Sequence, residues 1–355
     1  MHHVILGAGP AGVIAAETIR KLQPRDAITI VGDEKEPPYS RMAIPYLLIG
    51  KVGESGTWLR KNPSHFEDLQ VKLVQARATR LDAAGRTLTL DNGEQLRFDT
   101  LLIATGSTPV RPPIPGIDLP GVQPCWTLED ARKIMALAVK GARVLQMGAG
   151  FIGCIIMESL AARGVQLSVV EMGDRMVPRM MGPTAGGMIK EWCEKKGVQV
   201  FTGTRVEAID AGTPMSVRLS NGQRLAADLV ISATGVRPAI GFLEHSGVTC
   251  LQGVLTDEHM QTNVPGIYAA GDCAEAFDKV SGRAIVSAIQ PNAADQARVA
   301  GLNMAGQRAE LKGVTQINVL DTLGLISTSF GNWQGVPGGD QVELTDRNAG
   351  RHLSL

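Results

Sequence analysis

The chain has 355 residues, 44% hydrophobic and 20% charged, a composition typical of a soluble globular protein with two or three domains. Its 35 basic residues balance 35 acidic ones, so no overall field attracts nucleic acid or an anionic membrane surface. No apolar run reaches the roughly 18 residues of a membrane span, and residues 1–12 lack the pattern of a signal peptide. The five cysteines form no Cys-x-x-Cys pair, and the six histidines show no ligand spacing. We therefore expect a cytoplasmic protein with reduced thiols, no membrane span and no metal site.

The first informative feature is a glycine-rich loop near the start of the chain. Residues 4–6 form a short apolar strand pattern, and residues 13–17 begin a helical pattern. The loop between them has the spacing Gly-x-Gly-x-x-Gly and contains Gly7, Gly9, Pro10, Ala11 and Gly12. In this context the glycines permit a tight turn, approach of the backbone to a pyrophosphate, and close packing of helix on strand. The N–H groups at the helix start attract the anion, so the pattern predicts a dinucleotide site.

An acidic pair follows the second strand pattern. Residues 27–31 are apolar, and Asp33 and Glu34 follow them. An acid at this strand end can accept hydrogen bonds from an adenosine ribose. We favour Glu34, but a shift of one residue at the strand end would select Asp33 instead.

The same arrangement recurs in the second part of the chain. Residues 143–147 read as a strand, a helical stretch runs to residue 160, and residues 165–170 read as the next strand. Glu171 follows that strand. The loop between the first strand and the helix contains Gly148, Gly150, Phe151, Ile152 and Gly153. Two copies of strand, loop, helix, strand and terminal acid predict two dinucleotide-binding sites.

Glu171 also bears on the choice of cofactor. A carboxylate at the ribose edge favours the 2′-hydroxyl of NADH and repels the 2′-phosphate of NADPH. Arg175 and Arg179 lie downstream and would weaken this preference if they turned inward; as solvated surface charges they would not. We therefore expect NADH, with NADPH the less favoured cofactor.

Three further segments identify a family. Two similar segments end the two halves of the pattern, one with Ala104, Thr105 and Gly106, the other with Ala233, Thr234 and Gly235. Gly271 and Asp272 follow an apolar strand pattern late in the chain. In this order the motifs resemble the FAD-dependent pyridine nucleotide-disulfide oxidoreductase superfamily over residues 1–330. The resemblance implies an α/β fold with two Rossmann-like, three-layer dinucleotide-binding domains that bind FAD and NADH.

The resemblance also implies which residues contact each cofactor. The FAD residues would be those of the first loop and its acid, together with Arg41, Ala104, Thr105, Gly106, Gly271, Asp272 and Gln290. Asp272 would accept a hydrogen bond from the ribityl chain of the flavin. The NAD residues would be those of the second loop, together with Glu171, Ala233, Thr234 and Gly235.

The resemblance further implies a discontinuous domain layout. Residues 1–115 and 243–312 would form the FAD-binding domain and residues 116–242 the NAD-binding domain. The proline-rich stretch 109–116 fits a crossing between them, because proline breaks both helix and central strand. Residues 313–355 are too few for the interface domain that usually ends the family, so we expect a partial α+β cap with open sheet edges, and a homodimer is a candidate assembly.

What the chain lacks indicates the branch of the family. No cysteine precedes Cys125, so the cysteine pair of disulfide reductases is missing. Met42 occupies the position of the single cysteine that coenzyme A-disulfide reductases and NADH oxidases use, and a thioether cannot form a mixed disulfide. Residues 38–41 are similar to a segment of rubredoxin reductases, ferredoxin reductases and the FAD module of NADH-dependent nitrite reductases. Tyr46 and Ile155 depart from that branch, since charged residues are usual at both positions.

These observations lead to a functional hypothesis. We expect an FAD-dependent oxidoreductase that passes hydride from NADH to FAD and then electrons to a separate redox protein or small molecule. No acid–base residue is required, so none is assigned. The alternative is a non-catalytic nucleotide-binding subunit or redox sensor of a larger complex, which Tyr46 and Ile155 favour. An NADH oxidase is less favoured because of Met42.

Overall fold

The structure is a computed structural model that describes all 355 residues. The helices are α1 (Pro10–Leu22), α2 (Ile44–Leu48), α3 (His65–Asp68), α4 (Leu128–Leu137), α5 (Phe151–Ala162), α6 (Pro183–Lys195) and α7 (Gln290–Met304). None of them combines the length and the apolar character that crossing a bilayer requires.

The strands are numbered along the chain. The first nine are β1 (His2–Leu6), β2 (Ala27–Gly32), β3 (Val71–Gln75), β4 (Ala78–Asp82), β5 (Thr87–Leu90), β6 (Gln95–Arg97), β7 (Thr100–Ile103), β8 (Ser107–Pro109) and β9 (Val122–Gln123). The next nine are β10 (Arg143–Met147), β11 (Gln166–Val170), β12 (Gln199–Phe201), β13 (Val206–Asp210), β14 (Met215–Leu219), β15 (Arg224–Ala227), β16 (Leu229–Ser232), β17 (Val236–Pro238) and β18 (Val254–Leu255). The last seven are β19 (Ile267–Ala269), β20 (Ala274–Asp278), β21 (Arg283–Val286), β22 (Ile317–Thr322), β23 (Leu325–Phe330), β24 (Glu343–Asp346) and β25 (Arg351–Ser354).

The chain divides into two compact units. The first unit comprises Met1–Ser40, Ser55–Thr108 and Arg237–Gln316, and the second comprises Arg41–Glu54, Pro109–Val236 and Ile317–Leu355. The units differ from the expected domains mainly in two long segments, and their boundaries also shift at residues 109–115, 237–242 and 313–316. Residues 41–54 were expected in the FAD-binding domain and residues 317–355 in a separate cap, but both group with the second unit.

The first unit is built around a five-stranded sheet with the order β19-β7-β1-β2-β3. All its strand pairs are parallel, with Val4 opposite Thr29 and Leu101 in the neighbouring strands. Parallel strands are covered on both faces, which explains why β7 is buried along its whole length. Helices α1 and α7 pack closely, because Gly301 leaves room for Thr18 and a Cβ there would lie 3.0 Å from the Thr18 Cβ. A three-stranded antiparallel sheet, β4-β5-β6, precedes β7.

The second unit repeats this plan. Its five-stranded parallel sheet has the order β12-β11-β10-β16-β9, and an antiparallel sheet, β13-β14-β15, precedes β16. Its core includes Leu145, Val170 and Val230, each less than 4% exposed. The prediction of two Rossmann-like domains is therefore confirmed.

Residues 41–54 join the second unit through long-range polar contacts. The Ser159 hydroxyl donates to the Pro45 carbonyl at 3.2 Å, and the Arg163 guanidinium donates to the Leu48 carbonyl at 2.6 Å. Arg132 donates to both carboxylate oxygens of Glu54 at 2.7 and 2.8 Å. These contacts join residues 78 to 115 positions apart in the chain, which no local pattern reports.

The C-terminal region differs from the expected α+β cap. It contains two antiparallel hairpins, β22-β23 and β24-β25, and the last helix of the chain ends before them at Met304. In the first hairpin the hydroxyl groups of Ser327 and Ser329 are buried without a hydrogen-bond partner. Its outer face carries Ile326 and Phe330, which are 71% and 69% exposed. The alternation of strand residues thus places the more apolar face outside.

Candidate functional site

The first glycine loop has the geometry that close backbone approach requires. Gly7 has a φ of +112°, and a Cβ there would clash with the Ala104 carbonyl oxygen. A Cβ on Gly12 would clash with the Gly7 carbonyl oxygen, so the helix packs directly on the turn. Around Gly9 the space is open: an added Cβ would meet nothing within 4 Å. The loop is therefore closed toward the sheet and open at its second glycine.

The start of α1 fits an anionic ligand. Gly9 is the N-cap, makes no side-chain capping bond, and the first turn of the helix has no acidic residue. The first N–H groups of a helix lack partners within the helix and carry the positive end of its dipole. Together with the open space at Gly9, this arrangement fits the pyrophosphate of a dinucleotide.

The two candidate ribose acids have different surroundings. Glu34 is half-buried and accepts a hydrogen bond of 2.6 Å from the Tyr39 hydroxyl. Asp33 is exposed and forms an ion pair of 2.9 Å with Arg77. The surroundings of Glu34 are those of a positioned acceptor, whereas Asp33 is a surface charge with a cationic partner.

Gly271 and Asp272 lie beside the first loop. A Cβ on Gly271 would be 3.4 Å from the Ala11 Cβ, which places this turn next to the start of α1. The Gly271 N–H donates to the fully buried Gln296 at 2.7 Å. Asp272 accepts a hydrogen bond of 3.0 Å from the Ser107 hydroxyl. The carboxylate is thus held just after the carboxyl end of β19, next to the glycine loop that follows the carboxyl end of β1.

The remaining predicted FAD residues of the first unit lie either after β7 or at the start of α7. The Ala104 carbonyl contacts the first loop, and the Thr105 hydroxyl donates to the Ala239 carbonyl at 2.8 Å. The Gly106 carbonyl accepts the Ala239 N–H at 2.9 Å. Gln290 is exposed at the start of α7 and accepts from Ser40 at 3.0 Å.

Arg41 groups with the second unit. Its guanidinium donates to the Trp126 carbonyl at 2.7 Å and lies 5.2 Å from the centre of the Trp126 ring. A cation at this distance over an indole ring is a favourable cation–π pair. The structure therefore shows Arg41 bound to Trp126 in the second unit.

The second glycine loop repeats the first one. Gly148 has a φ of +96°, and a Cβ there would clash with the Ala233 carbonyl oxygen. A Cβ on Gly153 would lie 2.5 Å from the Gly148 carbonyl oxygen, while Gly150 faces open space. Gly150 caps α5 without a side-chain bond, and the first turn, which begins with Phe151 and Ile152, has no acidic residue. This helix start also fits a pyrophosphate.

Glu171 is fixed by backbone amides. Its two carboxylate oxygens accept the N–H groups of Ala149 and Gly173, each at 2.7 Å. A carboxylate has about four lone-pair sites, so acceptor capacity for a ribose hydroxyl remains. Arg175 is already engaged, since it donates to the Met181 carbonyl at 2.9 Å and to Asp174 at 2.8 Å. Arg179 is exposed.

An apolar cleft lies beside the second loop. Its cavity volume is small, about 20 Å³, and its lining includes Trp126, Ile152, Ile156, Ala233 and Gly235. Thr234, between the last two, donates its hydroxyl to the Val110 carbonyl at 3.1 Å. The cleft therefore presents an apolar surface beside the second loop rather than a preformed cavity.

The cysteines have the surroundings of structural residues. All five are free, and burial raises the pKa of Cys125, Cys154 and Cys193 to about 12. Burial also raises the pKa of Cys250 and of Cys273, next to Asp272. A thiolate is the reactive form of cysteine, so these thiols are poor nucleophiles near neutral pH. No group of three or more acidic, histidine or cysteine side chains has the arrangement of a metal site.

Three supporting residues were missed at the level of sequence. Ser107 holds Asp272, Gln296 holds Gly271, and Tyr39 holds Glu34. Tyr39 lies in the segment 38–41, which resembles the family, but the sequence assigns it no partner. Tyr39 lies five positions from its partner in the chain, but the other two lie 165 and 25 positions from theirs. Only a polar residue at a buried position, as Gln296 is within an apolar helix face, signals such a contact.

Comparison with known proteins places these features in a family. The family model of the pyridine nucleotide-disulphide oxidoreductases matches residues 1–300. The chain is 32% identical to an NADH-dependent phenylglyoxylate dehydrogenase subunit epsilon of Aromatoleum evansii, over 99% of this chain and 84% of that protein. It is also 32% identical to an NADH oxidase of Methanocaldococcus jannaschii, over 93% of this chain and 77% of that protein.

A solved structure agrees with this placement. An NAD-dependent persulfide reductase from A. fulgidus superposes with a TM-score of 0.90 and 31% identity, covering 97% of this chain and 67% of that one. Further matches carry the names of ferredoxin, rubredoxin and rhodocoxin reductases. The relatives thus share a fold, and their names differ in the electron acceptor.

Proposed function

Because the chain belongs to the pyridine nucleotide-disulphide oxidoreductase family, it is an FAD-dependent NAD(P)H oxidoreductase, and we propose that it transfers electrons from NADH to a separate redox protein. One observation carries the proposal: two open glycine loops, each paired with a half-buried acid, stand in a chain whose cysteine thiols are all buried or of raised pKa. Two dinucleotide sites without a reactive thiol suit direct transfer between cofactors.

In this proposal the first unit holds FAD. The open space at Gly9 and the start of α1 would bind the pyrophosphate, and Glu34 would accept from the adenosine ribose. Asp272, held by Ser107, would accept a ribityl hydroxyl. Bound FAD supplies the capacity to accept a hydride and release two electrons, which side chains do not provide.

The second unit would hold the nicotinamide dinucleotide. Gly150 leaves space for the pyrophosphate at the start of α5, and the cleft beside Trp126 offers an apolar surface to the nicotinamide ring. Glu171 would accept from the 2′-hydroxyl of NADH and repel a 2′-phosphate. Arg175, tied to Met181 and Asp174, is not available to offset that repulsion.

The protein's own contribution is binding, orientation and exclusion of side reactions. For a one-electron acceptor, NADH and two oxidised acceptor molecules give NAD⁺, one proton and two reduced acceptor molecules. The family resemblance assigns Met42 to the position of the thiol in single-cysteine enzymes, and its thioether side chain is 51% exposed. A thioether does not carry electrons by thiol–disulfide exchange, which favours an acceptor outside this chain.

A second candidate function has one observation in its favour. The relative from Aromatoleum evansii is named as a subunit of an NADH-dependent dehydrogenase. Under this alternative the chain binds both nucleotides as part of a larger complex. It then either passes electrons from that complex to NAD⁺ or transfers no electrons. Free turnover of NADH with an added acceptor distinguishes the two candidates.

The test is anaerobic stopped-flow absorbance of the FAD-loaded protein mixed with NADH, and separately with NADPH. We expect fast loss of the oxidised-flavin band with NADH and slower loss with NADPH. Added rubredoxin or ferredoxin should then restore the band. Bound FAD that neither nucleotide bleaches would contradict the proposal.

A further inference from the structure

The β20–β21 hairpin of the first unit carries a surface with an unusual composition. Two large apolar side chains are exposed there, Phe277 by 50% and Val280 by 43%. Three exposed cations belong to the same hairpin or to the segment that follows α7, namely Lys279, Arg283 and Lys312. We call these five residues the hairpin patch. Lys312 lies next to Lys279, because a Cβ on the following Gly313 would be 2.7 Å from the Lys279 Cγ.

A buried carboxylate fixes the turn that carries the hairpin patch. Asp278 is fully buried and accepts the N–H groups of Val280 and Ser281 at 3.3 and 2.8 Å. Its carboxylate also accepts from the Gln316 amide at 2.6 Å. These bonds lower the pKa of Asp278 against the opposing effect of burial. Phe277, directly before Asp278, is the single exposed residue of β20.

The charges of the hairpin patch are unbalanced. None of its three cations forms an ion pair within 4.0 Å, unlike Arg77, an exposed cation of the same unit that pairs with Asp33. The nearest carboxylate in the turn, Asp278, has its oxygens occupied by the turn itself. The whole chain has a formal net charge of zero, so this positive area is a local departure from the average.

The hairpin is connected at both ends to the proposed FAD site. Strand β20 begins two residues after Asp272, and β21 ends four residues before Gln290. Since a strand advances about 3.3 Å per residue, Phe277 lies at most roughly 17 Å from Asp272. The patch is therefore close to the proposed electron source within the same unit.

We infer that the hairpin patch docks a small acidic electron-acceptor protein, an inference that rests on the proposed function. An exposed aromatic side chain on a segment that also carries exposed cations has the composition of a transient interface. Unpaired cations steer an acidic partner and fix its orientation, and this effect weakens as salt increases. An anionic membrane is less suited, since the patch offers two apolar side chains rather than the long apolar face of an interfacial helix.

The test uses the FAD-loaded full chain and two probe proteins, an acidic rubredoxin and an acidic [2Fe–2S] ferredoxin. The patch variant carries Lys279→Glu, Arg283→Glu and Lys312→Glu. The matched control carries Lys72→Glu, Arg80→Glu and Arg97→Glu, three exposed cations of the same unit that also lack ion pairs. The second patch variant, Phe277→Ser, changes no charge. Readouts are NADH-driven reduction of each probe, reduction of neutral benzoquinone, and bleaching of the flavin by NADH.

We expect the patch variant to lose about tenfold or more in kcat/KM for at least one probe protein, the scale of electrostatic steering. Its benzoquinone reduction and flavin bleaching should match those of the control variant. High salt should slow the wild type toward the rate of the patch variant. Phe277→Ser should weaken the same probe reaction without changing its salt dependence.

Several outcomes would overturn the inference. One is an equal loss in the patch and control variants, and another is a wild type that reduces benzoquinone but neither probe protein. Binding of the wild type to phosphatidylglycerol vesicles, lost in the patch variant while probe reduction is unchanged, would assign the patch to a membrane instead. Failure of NADH to bleach the wild-type flavin would instead contradict the proposed function, so the two failures are distinguishable.

Discussion

The two units share one plan and differ where that plan meets a ligand. Each has a five-stranded parallel sheet with the same order of equivalent strands, and in each an antiparallel sheet comes directly before an equivalent strand, β7 or β16. The acid of the first unit, Glu34, is held by the Tyr39 hydroxyl, whereas Glu171 is held by two backbone amides. The edge strand beside β7 or β16 comes late in the first unit, as β19, and early in the second unit, as β9. The difference teaches that the sheets provide the frame and that a few residues at the strand ends determine which nucleotide each unit binds.

The largest expected effect comes from the third glycine of each loop. Gly12→Ala and Gly153→Ala would each force a Cβ against a backbone carbonyl of the preceding turn. Overpacking of this kind costs about 1–3 kcal/mol of folding free energy, and the displaced loop should weaken cofactor binding by more than tenfold. Each variant should affect the nucleotide of its own unit, measured by FAD content and by titration with NADH.

Gly187→Ala is the matched control for these two variants. Gly187 lies within α6, and a Cβ there would meet nothing within 4 Å. Helix propensity should then raise stability by roughly 0.5–1 kcal/mol. Loss of cofactor binding in the control would show that any added methyl group disturbs the fold.

A second comparison concerns an arginine at the end of each glycine-loop helix. Arg163 donates to the carbonyls of Leu48, Met135 and Ala138 at 2.6–2.8 Å, and Arg20 donates to three carbonyls at 2.7–3.0 Å. We expect Arg163→Gln to lower the free energy of unfolding by about 2 kcal/mol, the scale of charged hydrogen bonds. Arg20→Gln should have a similar effect. Denaturant titration measures both, and a change below about 0.5 kcal/mol in either would contradict the parallel between the units.

Glu171 and Glu34 should have different functions, the first in the choice between NADH and NADPH and the second in FAD binding. Glu171→Gln combined with Met172→Arg removes a carboxylate and places a cation at a side chain that is 75% exposed. The ratio of kcat/KM for NADH over NADPH should fall by about 10- to 100-fold, because a 2′-phosphate then meets attraction instead of repulsion. Glu34→Gln should leave that ratio unchanged and weaken FAD binding. An unchanged ratio in the double variant would remove Glu171 as the discriminator.

The smallest expected effect concerns the amino end of the central strands. His3 is buried in the first unit at the position where the second unit has Val144. Burial lowers the pKa of His3, and the hydrogen bond of 3.1 Å to Asp26 raises it. The effect of burial is larger, so the pKa of His3 lies below its ordinary value. The unfolded chain therefore binds a proton more readily, and stability falls as the pH drops below 6.5, the ordinary pKa of histidine.

His3→Val should make the melting temperature less dependent on pH between 6.5 and 5. The folded pKa is lowered, so the contribution is present above pH 6.5 and is lost on acidification. Val144→Leu in the second unit is the control and should leave the pH profile of the wild type. A steeper acid decline in His3→Val than in the wild type would contradict the sign of the shift.

Local patterns were sufficient for much of the fold. The glycine spacing and the apolar runs predicted the strands on either side of both loops, the loops themselves and the acids at the strand ends, because these features lie within about 30 residues of one another. The two Rossmann-like domains followed from the family resemblance. The local patterns did not predict that residues 41–54 would join the second unit. That grouping depends on Arg163 and Ser159, whose partners lie 115 and 114 positions away.

The supporting residues of the site were equally hidden. Ser107 and Gln296 are ordinary polar residues in the sequence, and only the folded backbone brings them to Asp272 and Gly271. The C-terminal hairpins match the β part of the expected α+β cap, but the expected helices did not follow. The glycine-rich residues 331–339 disfavour a helix, which gives a physical reason for the difference.

The central claim is that the first loop binds FAD and the second binds NADH. Gly9→Asp and Gly150→Asp test it directly, since both glycines are N-caps with extended backbone and open space, where aspartate is a preferred residue. The new carboxylate should repel the pyrophosphate without unfolding the unit. The measurement is FAD stoichiometry and NADH affinity of the two purified variants. We predict that Gly9→Asp loses FAD, and that Gly150→Asp keeps FAD but binds NADH at least about tenfold more weakly. Loss of FAD in Gly150→Asp with unchanged NADH binding would contradict the account.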